Sequence, residues 1–402
     1  YIEIPVDRQV TTIVGANESG KSHLLSALAK IFTGFGIGDD SKNAYAIQDI
    51  CRYCAFKELD QEIWPYIGVE LCFDSPEEFT SFCAAASVTP PAPEASSANL
   101  RCTAILSGAS PERYVSLYLN EAGTLLGHCE KAKWNSLTDT NLPALRFIDA
   151  KIALANEIHV NQLLSAYNDE QPAAVYDPIS LQNMASLLEG LTLEVGKPVD
   201  KAVADRMAEA KAELSTTKIA GPKGVALEAL LFRDVLRIDR STLERIQKLG
   251  TSNRGYVERL ISEINHRLDE SLDLTHFWEQ DDEFKLSIDF KSGFFYFEIT
   301  DKTDAKYTFN ERSSGLRYFL SYYIQAKAIE RANEERGSVV LMDEPDSFLS
   351  VSGQRNLLQV FESLVSPKSS SGSCQLIYTT HSPFLINRNF PRRICLVRKG
   401  DG

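Results

Sequence analysis

The stretch that most constrains this chain is Gly15-Ala16-Asn17-Glu18-Ser19-Gly20-Lys21-Ser22, which fits the pattern G-x-x-x-x-G-K-[ST] without a substitution. Val10 to Val14 before it reads as a buried strand, and His23 to Phe32 after it carries helical apolar spacing. Strand, glycine loop and helix are the context in which such a loop closes around phosphates. Loop N–H groups and the positive end of the helix cradle the anion, Lys21 reaches the β and γ groups, and Ser22 holds magnesium. ATP and Mg2+ are the expected ligands.

At 402 residues the chain has room for two or three domains, or for one large α/β domain with an insertion. No apolar run reaches membrane-spanning length, and charges at Glu3, Asp7 and Arg8 break up the N-terminus, so neither a membrane span nor a signal peptide is expected and the cytoplasm is the expected location. A net charge of −13 argues against a surface that binds nucleic acid everywhere, while leaving room for a local basic groove. Eight cysteines are scattered, and Cys51-Arg52-Tyr53-Cys54 is a lone C-x-x-C better explained by packing than by zinc. The chain begins at Tyr1 without methionine and stops at Gly402 just after a strand pattern, as a fragment would.

Strands are expected at 66–73, 102–106, 114–119, 124–129 and 145–149, with a helix starting at the capping box Ser75-Pro76-Glu77-Glu78. From Lys151 the pattern turns helical for over a hundred residues, with helices expected over 152–164, 180–191, 203–214 and 225–236. A long helix from Ser241 towards Leu272 is expected to break at Gly250 or Gly255. Aromatic-rich strands return at 284–290, 293–300 and 306–309. They are followed by helix 314–333, strand 338–342, helix 354–364 and strands 375–378 and 394–398. Apolar strands alternating with helices are the mark of an α/β fold whose parallel sheet is covered on both faces. The division expected is a head made of 1–150 and 273–402, with 151–272 as a helical insertion or arm.

Three further elements carry chemistry. Val339-Val340-Leu341-Met342 runs into Asp343-Glu344, and carboxylates at the C-terminal edge of a parallel strand face the crevice where ligands bind. Asp343 suits magnesium and Glu344 suits the base that orients or deprotonates water. Thr379-Thr380-His381-Ser382 ends another apolar strand and brings an imidazole to the same edge, where it can meet the γ-phosphate or the attacking water. Ser313-Ser314-Gly315 opens a helix, which makes it either an anion site or an ordinary cap.

In this order the four elements resemble the ABC-type ATPase heads of the OLD, RecF and SMC-like branch. Gly15 to Ser22 match Walker A, Ser313-Ser314-Gly315 the signature, Asp343-Glu344 Walker B and His381 the switch histidine. Gln48 is the candidate for the Q-loop, and Asp346 to Ser350 ends in serine where the family often has aspartate. The resemblance implies a homodimer or higher oligomer in which the signature serine of one copy meets the γ-phosphate held by the other. Asn-Glu-Ser-Gly-Lys-Ser, Asn-Glu-Arg-Ser-Ser-Gly and Thr-Thr-His-Ser-Pro-Phe look most like ATPases of Septu-type anti-phage systems, including retron-associated ones. Those ATPases partner an HNH nuclease. The competing expectations are two. One is a DNA-repair or chromosome-type ATPase that contacts DNA or RNA–DNA directly, through Arg233, Arg237, Arg240, Arg245 and Lys248. The other is an OLD-type nuclease with its catalytic domain beyond residue 402.

Overall fold

The computed structural model describes residues 4–17, 19–34, 67–73, 75–85, 100–107, 114–121, 124–129, 143–149, 152–167, 226–250, 253–278, 284–303, 305–332, 337–366 and 373–398. Gln48, Glu18, the Cys51–Cys54 pair and the helices expected over 180–191 and 203–214 lie outside the described residues.

In chain order the described elements begin with strand β1 (Val10–Val14), helix α1 (Lys21–Gly34), β2 (Ile67–Cys72) and α2 (Pro76–Ala85). Strands β3 (Leu100–Ser107), β4 (Tyr114–Glu121), β5 (Thr124–Cys129), β6 (Ala144–Ile148) and β7 (Glu157–His159) follow. The helical part holds α3 (Val160–Ala166), α4 (Ala226–Ala229) running into a π-helical turn at Leu230–Val235, α5 (Arg240–Leu249), α6 (Arg254–Ser271) and α7 (Leu274–Phe277). Then come β8 (Lys285–Lys291), β9 (Phe294–Thr300), β10 (Lys306–Tyr307), α8 (Ser314–Ala332), β11 (Ser338–Met342), α9 (Val351–Val365), β12 (Cys374–Thr380) and β13 (Ile394–Leu396).

The sheet that organises the molecule has five strands in the order β13-β1-β12-β11-β6, and every pairing in it is parallel. Its central strands are buried because both faces are covered: β11 is buried at all five residues, and β12 at every residue but Gln375. Parallel pairing puts the C-terminal ends of β1, β11 and β12 on one edge. The phosphate loop, Asp343-Glu344 and His381 all leave from that edge.

Two antiparallel sheets flank this arrangement. One runs β2-β3-β4-β5, and beside it Phe73 meets Phe79 and Phe82 of α2 at ring distances of 4.8 and 5.2 Å. The Oγ of Ser75 accepts the N–H of Glu78 at 3.1 Å, the cap expected at this helix start. In the other sheet β9 lies between β8 on one side and β7 and β10 on the other.

That second sheet corrects two expectations. The helical spacing over 152–164 is real only from Val160; Glu157 to His159 instead pair with Phe294 to Tyr296, because ladder hydrogen bonds to β9 outweigh a weak local preference. Likewise β10 ends at Tyr307, and Phe309 to Glu311 form a 3-10 turn whose capping box joins Thr308 to Glu311. The long helix breaks after Leu249, at the earlier of the two glycines, and α6 restarts with Asn253 accepting the N–H of Tyr256.

The described parts of the 151–272 block pack into the same hydrophobic cluster as the sheet. Leu163, Phe232, Ile246 and Ile264 share it with Val10, Leu320, Met342 and Tyr378. Phe232 touches Phe295 at 4.9 Å between ring centres, so the π-helical turn is seated on β9.

Candidate functional site

Gly15 to Ser22 connects β1 to α1, as the pattern demands. Gly15 is held to its identity by close approach: a Cβ there would fall 2.5 Å from the Oγ of Ser19 and 2.6 Å from the carbonyl oxygen of Val397. Gly20 takes φ +96°, a left-handed conformation that glycine adopts without strain, and the space where its side chain would stand is open. Next to it the Oγ of Ser19 is buried and has no partner among the described residues. An orphan hydroxyl, an open face at a positive-φ glycine and the N–H groups of the first turn of α1 together fit a phosphate group.

Lys21 is only 3% exposed. Its ammonium donates to the carbonyls of Gly15 at 3.2 Å and Ala16 at 3.0 Å, and pairs with Glu344 Oε1 at 3.3 Å. Ser22 Oγ donates to Asp343 Oδ1 at 3.1 Å. Adjacent residues at the start of α1 thus engage adjacent carboxylates at the end of β11, one to one.

Asp343 is solvent-exposed, with its Oδ1 shared between the hydroxyls of Ser22 and Thr379. A hydroxyl and a carboxylate side by side, open to water, fit Mg2+, which is usually held by one or two carboxylates together with waters and substrate phosphates. Groups of three or more His, Cys, Asp or Glu able to hold a metal do not occur among the described residues. Ser22 and Asp343, bonded to one another at 3.1 Å, are the residues that would hold such an ion, which would neutralise phosphate charge there.

Thr379 was not singled out by its sequence context. Its hydroxyl donates to Asp343 and accepts the backbone N–H of Glu344 at 3.0 Å, so it holds the Asp343 carboxylate and the Glu344 backbone together. Glu344 itself sits at φ +44°, ψ +56°, a left-handed conformation uncommon for a non-glycine residue. The Thr379 hydroxyl and the Lys21 ion pair hold it there.

The next residue of β12 points to the opposite face, as strand geometry requires. Thr380 Oγ1 donates to Asp346 Oδ1 at 2.7 Å, while the other oxygen of that carboxylate lies 3.2 Å from His381 Nδ1. His381 is 43% exposed and Asp346 2% exposed at their side chains. Beyond them Ser382 Oγ donates to Gln354 of α9, and the amide of Gln354 donates to Leu349 O at 3.0 Å. Tyr378, pushed up to about 12 by burial, stays a neutral donor to the Leu385 carbonyl and pins the segment after the histidine.

Ser313 and Ser314 are exposed at the start of α8, where Ser313 Oγ accepts the N–H of Leu316 at 3.4 Å. Among the described residues no hydrogen bond or ion pair links Ser313 to Gly315 with the phosphate loop. Gly315 instead abuts the turn after β11, with Phe348 O 3.5 Å from where its Cβ would be, and Tyr318 stacks on Phe348 at 4.2 Å. Ser350, which stands where an aspartate is common in similar heads, accepts the N–H of Gly353 at 3.2 Å as the N-cap of α9.

Of the residues expected to form a basic face, Arg233 pairs with Asp234 and Arg240 with Glu244, each at 2.8 Å. Arg245 and Lys248 are exposed. The Arg240–Glu244 pair is exposed, as on a solvated helix face, whereas the Arg233–Asp234 pair is half-buried.

Residues 208–387 match the family model described as "AAA domain, putative AbiEii toxin, Type IV TA system". The matched residues make up less than half of the chain and do not include the phosphate loop. They span Ser313 to Gly315, Asp343-Glu344 and His381. Among solved structures, the Smc head bound to the C-winged helix domain of ScpA is 15% identical, with 99% of this chain and 90% of that chain covered at a TM-score of 0.42. An Smc head domain with an extended coiled coil, bound to the C-terminal domain of ScpA and derived from Pyrococcus furiosus, is 15% identical, with 99% and 89% covered at 0.40. No curated protein matches the chain. No helix among the described residues is long and apolar enough to cross a membrane.

Proposed function

We propose that this chain binds and hydrolyses ATP with Mg2+, and that two copies close head to head around the nucleotide to regulate a partner nuclease in anti-phage defence. The observation that carries the ATPase reading is the one-to-one meeting of Lys21 with Glu344 and Ser22 with Asp343 at the C-terminal edge of the parallel sheet. Phosphate bound against the N-terminus of α1 takes the Lys21 ammonium, which frees Glu344 from its ion pair. The released carboxylate stands at the same edge and orients or deprotonates the attacking water. Asp343 and Ser22 hold the magnesium ion, and the His381 imidazole faces the γ-phosphate or the water from the end of β12.

Dimerisation is supported by the exposed Ser313-Ser314 pair, which among the described residues makes no hydrogen bond to the phosphate loop of its own chain, and by the neighbouring exposed Phe348. The nuclease partner rests on the motif sequences quoted above. Phosphate release from ATP, measured with and without Mg2+, tests the enzyme. Release that is absent, or indifferent to Mg2+, would sink the ATPase reading. Purification together with the products of neighbouring genes tests the partner, and an ATPase that never associates with a nuclease would refute that part alone.

A further inference from the structure

We infer that Asp346 is a positioning residue that acts through His381, fixing the imidazole with Nδ1 as the donor and Nε2 turned to the nucleotide crevice. The inference rests on the ATPase reading above for its kinetic consequence, but the geometry stands by itself. Asp346 Oδ2 lies 3.2 Å from His381 Nδ1, and a carboxylate can only accept, so Nδ1 carries the proton. The other carboxylate oxygen is also committed: it accepts from Thr380 Oγ1 at 2.7 Å. That hydroxyl in turn accepts the N–H of Ser382 at 3.0 Å, which leaves its proton for Asp346.

The backbone of Asp346 is tied as well, its carbonyl accepting the N–H of Leu349 at 3.2 Å and the amide of Gln354 at 3.4 Å. The Asp346 carboxylate is 2% exposed, with one oxygen accepting from Thr380 and the other 3.2 Å from the imidazole, whereas the histidine is 43% exposed. With Nδ1 beside Asp346, Nε2 lies on the far side of the ring, and the ring is the exposed member of the pair.

This arrangement sharpens what His381 can do. When the imidazole is neutral its Nε2 has a lone pair and accepts a hydrogen bond, which suits the attacking water rather than a phosphate oxygen. When it is protonated the imidazolium lies between two anions, Asp346 on one side and phosphate on the other, and Nε2–H donates to the latter. In both states the ring orientation is set by Asp346. The dyad spans 35 residues of sequence from Asp346 to His381 and is assembled by the parallel pairing of β11 with β12.

The test has two arms. In nitrogen-15 NMR of the labelled protein, above the pH at which imidazole titrates, His381 is expected to show a protonated Nδ1 and an unprotonated Nε2. The signal is assigned by its loss in His381→Ala. Asp346→Ala is expected to swing the tautomer towards Nε2–H, and a wild-type ring already in the Nε2–H form would overturn the inference.

In steady-state ATPase assays Asp346→Asn, which keeps the side-chain shape if the alanine variant fails to fold, is expected to lower kcat by roughly 10- to 100-fold with KM little changed. In a His381→Ala background the same substitution is expected to cost nothing further. Additive losses would show that Asp346 acts on stability and not through the histidine. A wild-type chain that releases no phosphate would defeat the ATPase reading, and the tautomer arm alone would then decide the dyad.

Discussion

Lys21 Nζ lies 3.3 Å from Glu344 Oε1, so the lysine of the phosphate loop and the proposed base form an ion pair with one another. The ammonium also caps the carbonyls of Gly15 and Ala16, and in a group this buried those bonds matter. Lys21→Ala is expected to abolish nucleotide binding measured by calorimetry. It should also destabilise the nucleotide-free protein by about 1–3 kcal/mol, because two carbonyls lose their donor. Retained ATP binding in a folded variant would remove Lys21 from the site.

Glu344→Gln separates binding from chemistry. The amide keeps the volume but is neither a base nor an ion-pair partner, so hydrolysis is expected to fall by at least about 100-fold while ATP still binds. With hydrolysis blocked, closed dimers should accumulate and be visible by light scattering in the presence of ATP and Mg2+. Hydrolysis at the parent rate would mean the base lies elsewhere.

Thr379 connects the Asp343 carboxylate to the backbone N–H of Glu344 through one hydroxyl, a link that no local sequence pattern encodes. Thr379→Val keeps the shape and removes both bonds, leaving the N–H of Glu344 without its acceptor. A loss of about 1–3 kcal/mol in chemical unfolding is expected, together with a higher Mg2+ requirement for ATPase activity. Thr379→Ser should restore both. A serine variant as impaired as the valine would show that the methyl group, not the hydroxyl, is what matters.

What could be read in the chain and what could not divides along sequence distance. The phosphate loop, strand β11 and the Asp343-Glu344 pair are local patterns whose apolar runs and loop chemistry leave little choice, and each stands where its pattern puts it. Glu157 to His159 were misjudged because a three-residue strand exists only by pairing with β9, almost 140 residues away. In the sequence Asp346 is only the first residue of the stretch that ends at Ser350. Its partners Thr380 and His381 reach it through the register of two parallel strands, which no local spacing encodes.

Gly15 is the point where the phosphate loop passes closest to the rest of the chain. The N–H of Val397 donates to Val14 O at 2.7 Å, which fixes the Val397 carbonyl that a Cβ on residue 15 would strike. Ser19 can rotate away; the backbone carbonyl cannot without breaking the pairing of β1 with β13. Gly15→Ala is accordingly expected to cost about 1–3 kcal/mol, read as a lowered thermal midpoint. Gly255→Ala, where nothing lies within 4 Å of the added carbon, serves as the tolerated control. Equal midpoints for the two variants would contradict the close approach.

Glu228 ties α4 to the segment that precedes β7, accepting the N–H of Ala155 at 2.8 Å while its side chain is almost wholly buried. Burial raises its carboxyl above the ordinary glutamate value, and the hydrogen bond from Ala155 and the charge of Arg317 only partly oppose that. A folded state that holds its proton more tightly than the unfolded chain gains stability from this group below the ordinary carboxylate range. It loses that gain as pH rises through the raised folded value. Glu228→Gln has no proton to lose and keeps an oxygen for Ala155. Urea midpoints of the two proteins, compared from about pH 4 upward, are expected to diverge with rising pH in favour of the glutamine variant, whereas parallel curves would mean that Glu228 is not held protonated by its surroundings.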